Sequence, residues 1–203
     1  MKKMTHIAVL AAAFLLALAT CVSAVEKGEG AIAFQGGGLF FSGKLAKLFA
    51  PDFDYGMNFA YGLSDLLAID LDALYSAHEE TDTAKFGHLS LAEAQGSIGV
   101  RASYTSQIVA PYATLAPTVM MMSYRARFPA GSRTQTDKLN SHGLGGTLTA
   151  GLDFFVSNSV TMGIAGKIGI ISTDMNFATG ADISNKILAF TYYSALARLT
   201  IIF

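Results

Sequence analysis

Asp70 and Asp72 stand two residues apart in the stretch Leu67-Ala68-Ile69-Asp70-Leu71-Asp72. In a strand that spacing puts both carboxylates on one face, where a pair of acids can share a proton or hold a cation. Further charges recur inside otherwise apolar stretches: Glu93, Arg101, Asp153, Lys167 and Arg198. Their mixed signs predict mutual neutralisation, so the group reads as a charge network packed inside a narrow lumen, with an ion or proton path along it as the alternative. His78 with Glu79, Glu80 and Asp82 is a loose metal-ligating set, better read as a solvated acidic loop. Gly36-Gly37-Gly38 lacks the following Lys and helix of a phosphate loop. No cofactor, metal or catalytic group is expected.

A buried charge network needs walls, and the composition says of what kind. The chain is 52% hydrophobic and 14% charged, yet beyond the N-terminus no apolar run reaches the roughly 18 residues of a helical span. Apolar residues fall instead into alternating segments: Gly30 to Phe41, Phe53 to Leu63, Leu66 to Tyr75, Leu89 to Tyr104, Val109 to Tyr124, Leu144 to Phe155, Val160 to Ser172 and Leu188 to Phe203. Each is about as long as a tilted strand that crosses a bilayer. In the fourth, Ala94, Gly96, Ile98, Val100, Ala102 and Tyr104 oppose Glu93, Gln95, Ser97, Gly99, Arg101 and Ser103. The second and seventh divide the same way. Pro111, Pro117 and Met120-Met121-Met122 blur the fifth, whose register stays open.

The connectors alternate in length. Long stretches (Ser42 to Asp52, His78 to His88, Arg125 to Asn140, Thr173 to Lys186) are separated by short ones (Ser64-Asp65, Thr105 to Gln107, Ser157 to Ser159). Short periplasmic turns and longer external loops produce this order when both termini are periplasmic. The expected fold is therefore all-β, an eight-stranded antiparallel up-and-down transmembrane barrel over residues 25–203, with its polar face inward. Eight strands enclose little beyond side chains, which excludes a wide pore.

The N-terminus reads as an address. Lys2 and Lys3 precede an apolar run from Ile7 to Ala19, and Val22-Ser23-Ala24 offers a cleavage site, so residues 1–24 are expected to be a cleaved signal peptide. Leu18-Ala19-Thr20-Cys21 leaves lipidation of Cys21 as an alternative. Loss of Lys2 and Lys3 would leave 12 basic residues against 15 acidic, a net of −3, which speaks against nucleic acid as a partner. External loops differ in sign. Arg125, Arg127, Arg133 and Lys138 make the third one basic, suited to lipopolysaccharide phosphates.

The last segment, Tyr193-Ser194-Ala195-Leu196-Ala197-Arg198-Leu199-Thr200-Ile201-Ile202-Phe203, resembles the terminal signal of outer-membrane barrels, alternating hydrophobics that end on an aromatic. The resemblance implies that Tyr193, Leu199, Ile201 and Phe203 are read by the barrel-assembly machinery. With Ala110-Pro111-Tyr112 opening one strand and Gly151-Leu152-Asp153-Phe154-Phe155 closing another, the chain is similar to small porin-like, OmpA-, OmpX- or OmpW-type barrel domains. That likeness implies residence in the cell outer membrane. It leaves open a structural or surface-interaction role (envelope integrity, adhesion, lipopolysaccharide contact) and, as the alternative, a narrow channel or small hydrophobic-solute transporter. Barrel enzymes exist, but His88-Leu89-Ser90 matches only half of the H-x-S-N motif of lipid A deacylases, with Leu91 in place of Asn. No enzyme is expected, and the oligomeric state is not legible.

Overall fold

The computed structural model describes residues 25–79, 88–104, 108–130, 133–179 and 183–203; the expected signal peptide, with Cys21, and the loop acids Glu80 and Asp82 lie outside them. Eight strands and one short helix follow in order: β1 (Gly30–Phe41), α1 (Leu45–Leu48), β2 (Asp52–Gly62), β3 (Leu67–Glu79), β4 (His88–Ser103), β5 (Val109–Ala130), β6 (Arg133–Ser157), β7 (Val160–Thr179) and β8 (Ile183–Ile202). Every strand pairs antiparallel with its sequence neighbours, and β8 pairs with β1 to close a barrel. Past the end of β8 the seam continues: Gly30 N donates to Phe203 O at 2.8 Å and Phe203 N to Gly30 O at 2.9 Å.

Register fixes the barrel's dimensions. Partners traced once around the outer face run Gly30, Tyr61, Ile69, Val100, Leu115, Leu148, Ile168, Tyr193 and return to β1 at Phe40, ten residues beyond the start. A stagger of that size over eight strands tilts them by about 40° and leaves a radius of about 8 Å, room for side chains only. On β7 the outward Val160, Met162, Ile164, Ile168 and Ile170 span a height of about 25 Å at that tilt, the thickness of an outer-membrane apolar band. Inward positions are polar: Gln35, Asp54, Asn58, Asp70, Glu93, Arg101, Asp153, Lys167 and Arg198 are all buried. The polar-in arrangement expected from alternation is the one observed.

β5 obeys the same alternation. Tyr112, Thr114, Thr118, Met120, Met122 and Tyr124 are buried, while Leu115, Val119 and Met121 face outward. Pro117 has no N–H to give. The β4 ladder lapses opposite it, between the pairs Ser97–Thr118 and Val100–Leu115, and resumes in the same register.

The connectors need correcting. Residues 125–140, expected as a loop, are mostly ladder: β5 and β6 stay paired out to Ala130–Arg133. β3 likewise runs on to Glu79, which makes His78 a strand residue with a buried side chain and not part of a solvated loop. Alternation of polarity ends where lipid ends, whereas backbone pairing continues into water, where polar side chains suit both faces.

Two glycines make room for two large side chains of the lumen. Tyr112 is the register partner of Gly151 and Tyr192 of Gly169. A Cβ on Gly151 would come within 2.5 Å of the Tyr112 ring, and one on Gly169 within 2.1 Å of the Tyr192 ring. Each ring lies over bare backbone, a cross-strand pairing that recovers the packing a glycine gives up.

Candidate functional site: the filled lumen and its outer rim

The lumen is occupied in layers. In the lowest charged layer Arg101, 1% exposed, reaches from β4 to Asp153 on β6 through Nη2 at 2.8 Å, and its Nη1 lies 3.9 Å from Asp70 Oδ2. Its guanidinium also sits over the Tyr112 ring, 3.7 Å from the centroid. Arg198 stands 4.8 Å from the same centroid, donates to the Tyr112 hydroxyl, and donates to Asn58 Oδ1 at 2.9 Å. Asn58 completes the chain by donating to Asp70 Oδ1 at 2.6 Å and Leu71 O at 3.1 Å. Each guanidinium is met by carboxylate, amide or π density, as a charge out of water requires.

Beside it, Lys167 pairs with Asp72, and Gln35 donates to the other oxygen of that carboxylate. A cavity of about 10 Å³ among Gln35, Asn58, Asp70, Asp72, Thr114, Lys167 and Arg198 has room for about one water molecule.

One row further toward the long connectors, Asp54, Ser76 and Glu93 are successive register partners on β2, β3 and β4. Asp54 accepts from Ser194 Oγ at 3.1 Å. Glu93, 3% exposed, has one carboxylate oxygen without a hydrogen-bond partner, and neither acid forms an ion pair among the described residues. Ser76 Oγ lies 2.9 Å from His78 Nε2, and His78 Nδ1 lies 3.1 Å from Ala50 O. A carbonyl only accepts, so Nδ1 carries the proton and, in the neutral ring, Nε2 accepts from Ser76. A hydrolytic triad needs its acid on the imidazole Nδ1. Here the carbonyl of Ala50 takes that place, and Ser76 and His78 are both buried.

Above this row the lumen turns apolar. Leu39, Phe41, Leu91, Met120, Met122, Tyr124, Ile171, Phe190 and Tyr192 form one cluster, into which α1 and its flank insert Leu45 and Phe49. Charged residues therefore occupy the middle of the barrel, and hydrophobic ones its mouth at the long-connector end.

Of the residues expected in the network, Asp70, Arg101 and Asp153 form one ion-paired group, Asp72 and Lys167 another, and Arg198 joins the first through Asn58 and Tyr112. Glu93 stands apart. Sequence reasoning named no role for Asp54, Gln35, Asn58 or Tyr112; their signal was parity, since each alternates with lipid-facing neighbours. At the rim, Arg125 and Lys138 are exposed and are register partners. Arg127 pairs with His88 on β4 and Thr136 on β6, and Arg133 with Ala130 at the hairpin's end. Tyr193, Leu199, Ile201 and Phe203 all face outward.

An apolar outer wall around a packed polar lumen, closed by eight antiparallel strands, defines a small transmembrane barrel. Solved structures agree in fold: the chain is similar to the outer membrane protein OprG from Pseudomonas aeruginosa (15% identity, 89% of this chain and 99% of that one, TM-score 0.54) and to Neisserial surface protein A (14% identity, 86% and 99%, TM-score 0.53). The chain thus has the fold of the small eight-stranded outer-membrane barrels. No protein-family model matches it, and neither does any curated protein.

Proposed function

We propose that this chain is an integral outer-membrane protein with a non-enzymatic structural or surface-interaction role, exported by residues 1–24 as a cleaved signal peptide and with both barrel ends of the chain in the periplasm. The observation that carries this reading is the filled lumen inside an apolar wall: side chains occupy the interior, so the surfaces left for work are the lipid face and the ribbons beyond it. Tyr193, Leu199, Ile201 and Phe203 serve as the assembly signal. Arg125, Arg127, Arg133 and Lys138 contact lipopolysaccharide phosphates. Arg125 directly opposite Lys138 supports that assignment, because like charges facing across a ladder destabilise it unless an anion lies between them.

Labelled lipopolysaccharide titrated against the full chain in phospholipid vesicles tests the contact. Replacing the four basic residues with Gln should weaken binding at least about tenfold; unchanged binding would remove the assignment. The second reading, a narrow ion or proton path, draws on the water-sized cavity among Asp70, Asp72, Lys167 and Arg198. Planar-bilayer recordings separate the two: the structural reading expects no discrete openings above background, and reproducible unitary currents would replace it with the channel.

A further inference from the structure

The outer mouth is closed by the chain itself, and the closure is built differently from the barrel. Between β1 and β2 the backbone turns inward and places Leu45 and Phe49, 0% and 2% exposed, among lumen side chains from β1, β4, β5, β7 and β8. Phe49 meets the Tyr124 ring edge-on at 6.4 Å. The other face of the same segment is exposed at Lys44, Ala46 and Lys47. Leu45, Leu48 and Phe49 therefore behave as the apolar side of a one-turn stopper whose polar side is wetted.

Barrel strands are laddered on both edges, whereas this segment meets the wall through Ser42 N to Thr191 O (2.9 Å), Ala50 N to Glu79 O (3.1 Å), the His78 ring to Ala50 O (3.1 Å) and a single β-bridge at Phe49. A unit held by apolar contacts and a handful of hydrogen bonds opens at lower free energy than the sheet it sits in. Gly43 supplies a joint at one end, with φ +67° and open space where a Cβ would be, and Pro51 at the other end is exposed. His78 is the best-placed of the ties. It is fully buried, its ring packs 4.7 Å from Phe41, and Ser76 fixes its far nitrogen at 2.9 Å. Ser76 and its register partner Glu93 sit at the floor of the apolar mouth, so the latch is rooted in the row that separates the mouth from the ion pairs.

We infer that residues 42–51 form a hinged plug latched by His78, and that its release uncovers a blind apolar cup at the outer end of the barrel. The cup is blind because the Arg101–Asp153 and Lys167–Asp72 layers below it do not depend on the plug. This goes beyond the proposed surface role and needs only the barrel.

The chain's one cysteine, Cys21, falls in residues 1–24, so a reporter can be placed without interference once these are absent. Met122→Cys puts a thiol in the cluster beneath the plug. Refolded in vesicles, that single-cysteine protein should react slowly with a water-soluble maleimide. Adding His78→Ala should speed labelling by about tenfold or more, the effect of losing a buried hydrogen bond, and replacing residues 44–50 with Gly and Ser should set the upper limit. Heat-modifiable gel migration reports whether each variant has closed its barrel. A second reporter, Met120→Cys, stands in where Met122→Cys fails that check. Conductance should stay at background in all of them, as a blind cup requires. Equal labelling rates with and without His78 would overturn the latch, and fast labelling of the thiol behind an intact plug would overturn the plug.

Discussion

Removing the Arg101 guanidinium should be among the most damaging single changes in the barrel. Arg101→Met keeps the length of the stem but takes away the pair to Asp153 at 2.8 Å, the weaker one to Asp70 at 3.9 Å, and the contact 3.7 Å above Tyr112. Asp70 keeps the amide of Asn58, but Asp153, whose Oδ1 already lacks a partner, loses the Arg101 donor at Oδ2. A buried carboxylate stripped of its cation costs about 3–5 kcal/mol. Converting it to an amide in the same protein removes the uncompensated charge, so Arg101→Met with Asp153→Asn should recover at least about 2 kcal/mol of that loss. The chain has no Trp, so reversible urea unfolding in vesicles would be followed by circular dichroism and by heat-modifiable migration. A single variant within about 0.5 kcal/mol of wild type, or a double variant whose cost equals the sum of the two singles, would refute the assignment of this layer as a coupled ionic core.

Charge on the outer wall should act by depth: Ile164→Arg, at the middle of the apolar band on β7, should cost about 2–4 kcal/mol, and Val160→Arg at the edge of that band no more than about 1 kcal/mol, measured by the same unfolding assay. Equal costs would argue against a lipid band centred on this belt. Gly169→Val should drive its side chain into the Tyr192 ring and destabilise the barrel by about 1–3 kcal/mol, with Tyr192→Leu recovering part of the loss. Wild-type stability for Gly169→Val would mean that Tyr192 does not rest on that backbone.

The wall was more legible than its contents. Alternation in Val160 to Ser172 or Phe53 to Leu63 reports directly which side chains face lipid, because a transmembrane strand has only two faces and each has one solvent. The parity of Glu93, Arg101, Asp153, Lys167 and Arg198 placed them inside on the same ground. Pairing was not legible, since partners such as Arg101 and Asp153 meet across the lumen through a stagger that only the closed ladder sets. Glu93 shows the limit: its parity matches that of the paired residues, yet its register neighbours are Ser76 and Met122, not a base. The inward fold of residues 42–51 left one trace in the sequence, the helical spacing of Leu45, Leu48 and Phe49 inside an otherwise polar connector. His78 was misassigned because an acidic run after it suggested solvent, while its alternation with Ala77 and Glu79 continued the strand.

Filling also bears on which of the two proposed roles the barrel can support. A solute crossing it would have to displace Leu45 and Phe49 from the mouth and then part Arg101 from Asp153 and Lys167 from Asp72. Separating one buried pair without a replacement partner costs about 3–5 kcal/mol, and each 1.4 kcal/mol lowers an open population about tenfold. A state with both pairs parted would then be populated at about one part in ten thousand or less. A proton or an ion that replaces the lost partner as it passes escapes that penalty, and a neutral solute does not. The ion pairs therefore add an energetic barrier to the steric one that the barrel's diameter sets. They leave a proton or small-ion path as the form of the channel reading that the pairs oppose least, and ionic current across a planar bilayer tests that path directly.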